Sequence, residues 1–566
     1  MKPLSSAPSW RAQAVACFVL GLLSGANAQT VKPDAPQAHE PARALPTPAA
    51  APEAPTPAFD VLEFVVEGNT VLSDEAIEKA VTPFLGERKT FANVEAARIA
   101  LEKAYQDAGF LTVFVDLPEQ EVSQGVVTLN VQEGRVERLA VTGSRYYSQG
   151  YIRSRVPELA EGKVPNFNVV QAQLAEVNRT DDRRVQPVLR PGRTPNSAEV
   201  ELKVTDQAPV HASLELNNNH AQFSKPWRLT ASARYDNLFQ RDHSMQLIAI
   251  TNPQNPSQSK ALGLSYIVPE PGGDGWQATA LWSDSQIEAF SSVSILGRGA
   301  TFSLKRQWGL PSAGALSHVM TFGADYKNMK ESVLVGSDKV ATPIRYMPLT
   351  LGYNGSWVQE DAAVLSWTNN VVFGVGSLFK HDVDCGFGPQ DQFSCKRQGA
   401  DGGFAYYRVD LRQSQPVGRW NLGLRLGGQV ATQAVIGVEQ YALGGSDNIR
   451  GYLSSEVAGD HGVMGSVQIN TPNLSPSAGK ADAVDSFWRR LDELTAYAFV
   501  DAGQIRVFNP SADQAGRQSL ASIGVGVKLK VYKDWTLNSD LAHALRAATT
   551  TRANDNRVHV RLSADF

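Results

Sequence analysis

Only 3 of the 566 residues are cysteine, and one of them, Cys17, lies in an apolar leader. The remaining two, Cys385 and Cys395, do not fill a tetrahedral metal shell. In an exported chain such a pair is expected as a disulfide, closing a short loop worth about 2–3 kcal/mol on the chain-entropy estimate. Positive charge is not in excess either: 53 Lys and Arg stand against 57 Asp and Glu, a net charge of −4, which is no footprint for nucleic acid. Beyond the leader no apolar run is long enough to cross a bilayer as a helix. That test does not touch barrels, whose strands escape it. G-x-S-x-G, H-E-x-x-H and P-loop motifs are missing, since Gly479-Lys480 is followed by Ala481. His381, Asp382 and Asp384 read as solvated loop residues, so no enzyme activity, metal or cofactor is expected.

What is present begins with a leader. Lys2 and Arg11 precede the apolar run Ala12–Leu23, and Ala26-Asn27-Ala28 before Gln29 is a small-x-small cleavage site. Residues 1–28 are therefore expected as a signal peptide cut between Ala28 and Gln29. Residues 29–58 are rich in proline and alanine, which forbids a continuous helix and marks a linker.

From 59 to 208 one pattern occurs twice, at 59–133 and 134–208. Phe64–Asn69 reads as a strand and turn, Ser73 as a helix cap, and Phe91–Ala108 as a second helix with Val94, Ala97, Leu101 and Tyr105 facing in. Strands at Leu111–Asp116 and Gly125–Val131 complete a β-α-α-β-β unit. In the second copy Leu139–Ser144, Ile152, a helix opened by Phe167-Asn168 with Val170, Leu174 and Val177 facing in, Val185–Leu189 and Ala198–Val204 stand in the same order. Two small α+β units behind an export signal suggest an interaction module, with open sheet edges that an extended peptide could join.

After Pro209 the period is two. Val525, Val527 and Leu529 alternate with Gly524, Gly526 and Lys528, and the chain ends on Val558, Val560, Leu562, Ala564 and Phe566 against His559, Arg561, Ser563 and Asp565. One aliphatic face and one wet face over such strands predict a membrane barrel spanning 209–566. Sixteen segments are expected, beginning near His211, Trp227, Ser244, Ser259, Gly275, Ile295, Leu316, Tyr346, Ala363, Phe404, Trp420, Gly462, Leu494, Ser519, Trp535 and Arg557. Connections alternate between short and long, with 475–493 a long one on the short side.

Between the eleventh and twelfth segments lies Gly444-Gly445-Ser446-Asp447-Asn448-Ile449-Arg450-Gly451-Tyr452. Paired glycines free the backbone from a ladder, and the stretch then carries one cation. Two segments on, Phe499, Asp501 and Gly503 share a face, which must be the lumen because a carboxylate toward lipid is costly. An inward-folded loop would set Arg450 against Asp501 as a partly wet pair, with the gap at Gly503 taken by Tyr452 or the loop backbone.

These features resemble the outer-membrane transporters of two-partner secretion, the ShlB/FhaC/HecB haemolysin secretion and activation family (TpsB) of the Omp85 superfamily. The repeats look like POTRA domains. Ile449-Arg450-Gly451-Tyr452 matches the sixth-loop tip, usually Val-Arg-Gly-Tyr/Phe, and Phe499-x-Asp501-x-Gly503 matches its partner motif. The resemblance implies α+β POTRA repeats in the periplasm and an all-β barrel of about sixteen antiparallel strands in the outer membrane of a Gram-negative bacterium. It further implies a secreted TpsA-type partner protein bound by the POTRA domains between the second helix and the edge strand of the first repeat. Export without ATP, insertion by the barrel assembly machinery with Phe566 as the C-terminal signal, contact with membrane lipid and a monomeric state complete the expectation. A pore-plugging N-terminal helix, found in some relatives, is not carried over to the proline-rich 29–58.

Overall fold

The caps and periods read from the N-terminal repeats set their elements. In the computed structural model, Ser73 caps helix Asp74–Val81 by accepting from the Ala76 N–H. Thr90 and Asn93 form a reciprocal cap on helix Phe91–Asp107. The structure describes residues 58–566 except 123, 223, 258, 286–287, 291–292, 296–297, 313, 336–337, 377, 380, 385–387, 476–489 and 511–513, and no side chains over 285–297 and 331–341. Ala28, Gln29 and Cys385 lie outside these residues, as do nearly all of 29–58 and most of 475–493.

Each repeat is a three-stranded sheet covered by two helices. In the first, Glu63–Glu67 runs parallel to the central strand Val126–Glu133, with Val113–Asp116 antiparallel at the other edge. The second repeats that order with Arg135–Thr142, Ser197–Asp206 and Arg183–Pro191. Leu101, Tyr105, Val113, Leu129 and Val131 make the first core, and Ile152, Leu159, Val170, Leu202 and Val204 the second. The edge strand starts at Val113 rather than Leu111, which stays exposed. A ribbon pairing Phe59–Val61 with Gly86–Lys89 has no period long enough to be read from sequence. Val164 of the second repeat enters the first core, and Phe167 N–H donates to Gly109 O at 2.8 Å, so the two units share a packed joint.

The barrel strands are β1 (Val210–Asn217), β2 (Arg228–Leu238), β3 (His243–Thr251), β4 (Ser259–Pro269), β5 (Gly275–Ser285) and β6 (Arg298–Gly309). They continue with β7 (Leu316–Val335), β8 (Asp338–Tyr346 and Pro348–Val358), β9 (Val364–Gly374), β10 (Ala405–Val417) and β11 (Trp420–Ala431). The circuit ends with β12 (His461–Asn470), β13 (Leu491–Arg506), β14 (Arg517–Val531), β15 (Trp535–Ala544) and β16 (Asn556–Asp565). One register runs along both halves of β8, from Leu316↔Trp357 to Val335↔Asp338, so they form one stave broken at Met347. The sixteen staves close antiparallel, with Arg561↔Asn217 to Asp565↔Ser213 joining the last to the first. Phe566 extends that seam by exchanging backbone hydrogen bonds with Ala212 at 2.8 and 2.9 Å.

Two expected starts move. The sixth stave opens at Arg298, because Val293–Ile295 pairs instead with Glu288–Phe290 in a separate ribbon. The eighth opens at Asp338, because the β7–β8 hairpin continues past the wall. Leu262, Leu426, Val430 and Val525 stay exposed on the outer face, where lipid covers such side chains.

At one rim the second repeat grips the β2–β3 turn. Arg183 makes two bonds of 2.6 Å to the Asp242 carboxylate, and Tyr151 Oη donates to the same group at 2.7 Å. The guanidinium lies 4.6 Å from the Tyr147 ring centroid. His211 on β1 lies 3.0 Å from Asp182 and 3.4 Å from Asp236, adding a second tie. Apart from the one between β12 and β13, the long connections belong to the opposite rim. There the 375–404 connection carries a ribbon, Asp382–Asp384 with Pro389–Asp391, and helix Gln392–Lys396, whose Cys395 is disulfide-bonded.

Candidate functional site

The β11–β12 connection, residues 432–460, turns back into the barrel. Its short ribbon, Tyr441–Leu443 with Val457–Gly459, carries the tip inward. At the tip, Arg450 meets Asp501 as the sequence predicts. Nε donates to Oδ2 at 2.8 Å, Nη2 to Oδ1 at 2.9 Å, and the Arg450 backbone N–H to Oδ2 at 3.1 Å. Ser466 Oγ donates to the same carboxylate at 2.6 Å. Asp501 is wholly buried and Arg450 is 9% exposed, so the pair is dry rather than partly wet. The guanidinium carbon lies 3.3 Å from the Phe499 ring centroid, which gives that motif residue its use.

Gly503 also differs from expectation in what fills its gap. A Cβ there would stand 2.6 Å from Ile449 Cδ1 and 2.9 Å from a Leu443 methyl, so these two side chains, not Tyr452, require the glycine. Tyr452 goes elsewhere. It is buried, and its hydroxyl lies 2.9 Å from Ala521 O and 2.8 Å from Arg546 O, between β14 and the β15–β16 loop. Gly451 holds φ at +92°, a conformation open to glycine, and its N–H donates to His559 Nε2 at 2.9 Å. That bond requires His559 to be neutral with Nε2 unprotonated.

Several anchors were not singled out from sequence. Asp540 on β15 lies 3.5 Å from Arg450 Nη1, and Gln468 on β12 accepts from the same atom at 2.8 Å. Asp447 pairs with Arg561 on β16 at 2.6 Å. Glu456 accepts from Thr550 and Thr551 N–H at 2.9 and 2.6 Å, clipping the loop to the β15–β16 connection. Each is a lone residue on its own strand or loop, with no local spacing to mark it. Arg425 on β11 donates to Asp447 O as well, so the tip is held by β11 to β16 together.

The root of the same loop packs against other connections at the far rim. Tyr346, Phe393, Phe404, Tyr406, Val435 and Ile436 form one buried cluster there. Glu439, 1% exposed, accepts from Lys327 Nζ at 2.6 Å and from the Tyr406 hydroxyl at 2.8 Å. Asp460, wholly buried, takes both Arg397 nitrogens at 2.5 and 2.6 Å and the N–H groups of Val435 and Phe508.

Comparison with known proteins converges on one family. Residues 59–134 match the ShlB-type POTRA domain, and residues 362–529 match the haemolysin secretion/activation protein ShlB/FhaC/HecB. The Escherichia coli outer membrane transporter CdiB is 23% identical over 540 residues, covering 91% of this chain and 86% of that protein. The Haemophilus influenzae heme/hemopexin transporter protein HuxB is 20% identical over 497 residues, covering 84% and 81%. The solved structure of Escherichia coli CdiB superposes with a TM-score of 0.65 at 18% identity, covering 92% of this chain and 93% of that one. A Haemophilus ducreyi BamA structure lacking POTRA domains 1–3 does so at 0.52 and 14% identity, covering 90% and 100%. Such a barrel sits in the outer membrane with its POTRA region in the periplasm, so the rim gripped by the second repeat is periplasmic and the rim with the buried aromatic cluster is outside. The chain belongs to the two-partner secretion transporters of the Omp85 superfamily.

Proposed function

We propose that this transporter binds the secretion domain of an exported TpsA-type partner through its periplasmic repeats and passes it, unfolded and without ATP, through the barrel to the cell surface. The observation that carries the reading is the Arg450–Asp501 bond: a loop tip drawn into the lumen and held by six strands is a closure that export would have to relax. In this reading 1–28 is a signal peptide, 29–58 a linker, 59–133 and 134–208 two POTRA domains, and 209–566 the barrel. Ile449, Arg450, Gly451 and Tyr452 are the latch, with Phe499, Asp501 and Gly503 its seat. The edge strand Val113–Asp116 is the sheet edge that an extended segment of the partner would join, displacing Glu102 and Arg98 from the Val115 N–H and O. Phe566, at the β16–β1 seam, serves the barrel assembly machinery as the terminal signal, and the protein works as a monomer.

Deleting residues 59–132 should leave an inserted barrel that no longer captures the partner's secretion domain in a pull-down. Undiminished capture by the deletion would move the docking site elsewhere.

A further inference from the structure

The luminal wall has two chemically different halves. Directly paired residues share a face, so the register assigns the inward side chains strand by strand. From β10 through β16 to β2 that face is strongly charged, carrying for example Arg408, Asp410, Arg412, Arg425, Asp540 and Arg561. On β3, β4, β5, the Pro348–Val358 half of β8, and β9 it carries no ionisable side chain among the described residues. Gln246, Ser265, Thr279, Asn354, Thr368 and Asn370 are typical, with glycine at 263 and 352. β6 and β7 add Lys305, Asp325 and Lys327, and Lys327 is matched by Glu439. Among the described residues, every hydrogen bond and ion pair from the loop tip, Gly444–Tyr452, to the barrel wall goes to the charged half. A polar pocket lies between the tip, at Ser446 and Arg450, and β9, at Val364 and Ser366.

Resting on the export reading above, we propose that the sparsely charged wall of β3–β9, with β3–β5 and the Pro348–Val358 half of β8 with β9 as its two neutral strips, is the track along which an extended segment of the partner slides, while the charged wall serves to hold the loop. An unfolded chain moves only if no contact traps it. Small neutral hydroxyls, amides and glycines exchange bonds with water at little net gain, whereas fixed charges pair with any opposite charge that passes. The track also starts where delivery would occur. The β2–β3 turn, bound by Arg183 of the second repeat, stands at the periplasmic edge of this wall. The fitting occupant is therefore an extended polypeptide of mixed or no net charge, read by its backbone and not by a sequence motif.

The test uses the purified full chain in planar bilayers and a synthetic unfolded peptide of Gly, Ser, Thr and Asn ending in a Glu run. Thr279→Lys and Asn354→Lys, both on the neutral wall, should lengthen peptide blockades roughly fivefold, the factor for one ion contact in water. Asn538→Lys, on the charged wall at β15, should leave them unchanged. Blockades lengthened only by Asn538→Lys, or equally by all three, would overturn the track. No blockade of an inserted wild-type barrel would instead overturn the export reading on which the track rests.

Discussion

Asp501→Asn tests the latch most sharply, because the change is nearly isosteric and its cost can be worked from the contacts. The carboxylate accepts four hydrogen bonds, three from Arg450 and one from Ser466, with no exposed surface. Removing one partner of such a buried pair costs about 3–5 kcal/mol, since the guanidinium is left uncompensated. Asp540 at 3.5 Å and Gln468 at 2.8 Å remain near Arg450, which argues for the lower end, about 3 kcal/mol. At 1.4 kcal/mol per decade the equilibrium between seated and released tip then shifts roughly a hundredfold. The barrel itself survives, because β13 keeps its backbone ladders to β12 and β14. Single-channel recordings of purified protein should show the open fraction rising by that order, with unchanged heat-modifiable mobility confirming the fold. An open fraction equal to wild type would refute the claim that this pair holds the loop.

Two further outcomes follow from other contacts. Arg183→Ala should loosen the joint between the second repeat and the barrel by about 3–5 kcal/mol and expose the Gln207–Pro209 connection to protease, while the charge-exchanged pair Arg183→Asp with Asp242→Arg restores part of the protection. A wild-type cleavage pattern would remove Arg183 from the joint. The outer cap should depend on pH in one direction. Burial pushes the Glu439 and Asp460 carboxyls up, but Lys327 with Tyr346 and Tyr406, and Arg397 with the Val435 and Phe508 N–H groups, outweigh it and hold both below their ordinary values. Their contribution is therefore present above an unfolded pKa of about 4 and lost as pH falls through the lower folded values. The protection factors of residues 432–440, taken against the intrinsic exchange rate at each pH, should match at pH 8 and 5 and fall only below about pH 4. Loosening already between pH 7 and 5 would contradict this.

Much of this was legible in the sequence because period two is set by the pleat itself. The alternation at Ala521–Val531 and Val558–Phe566 marks strands whatever they pack against. The Arg450–Asp501 pair was legible for a related reason: a carboxylate inside an alternating strand must face water or a partner. The dryness of that pair was not, since it depends on Phe499, Ser466 and Gln468 converging from two strands. His559 looked like one more luminal polar residue, and only the inward fold of Gly451 gives it a partner. The outer cap was equally hidden. Glu439 and Asp460 stand in stretches without period, and their burial comes from Tyr346, Phe393, Phe404 and Arg397, far upstream in the chain.

The central claim is that this barrel alone moves a partner across a membrane. Proteoliposomes holding only the full chain, with the repeats facing out and no nucleotide present, give the most direct measurement. The candidate partner is an unfolded TpsA-type protein carrying the secretion domain proposed above. The account predicts that the unfolded partner becomes protected from external protease over time, and that Asp501→Asn alters the rate. A partner that stays fully digestible beside correctly inserted, wild-type barrels would contradict it.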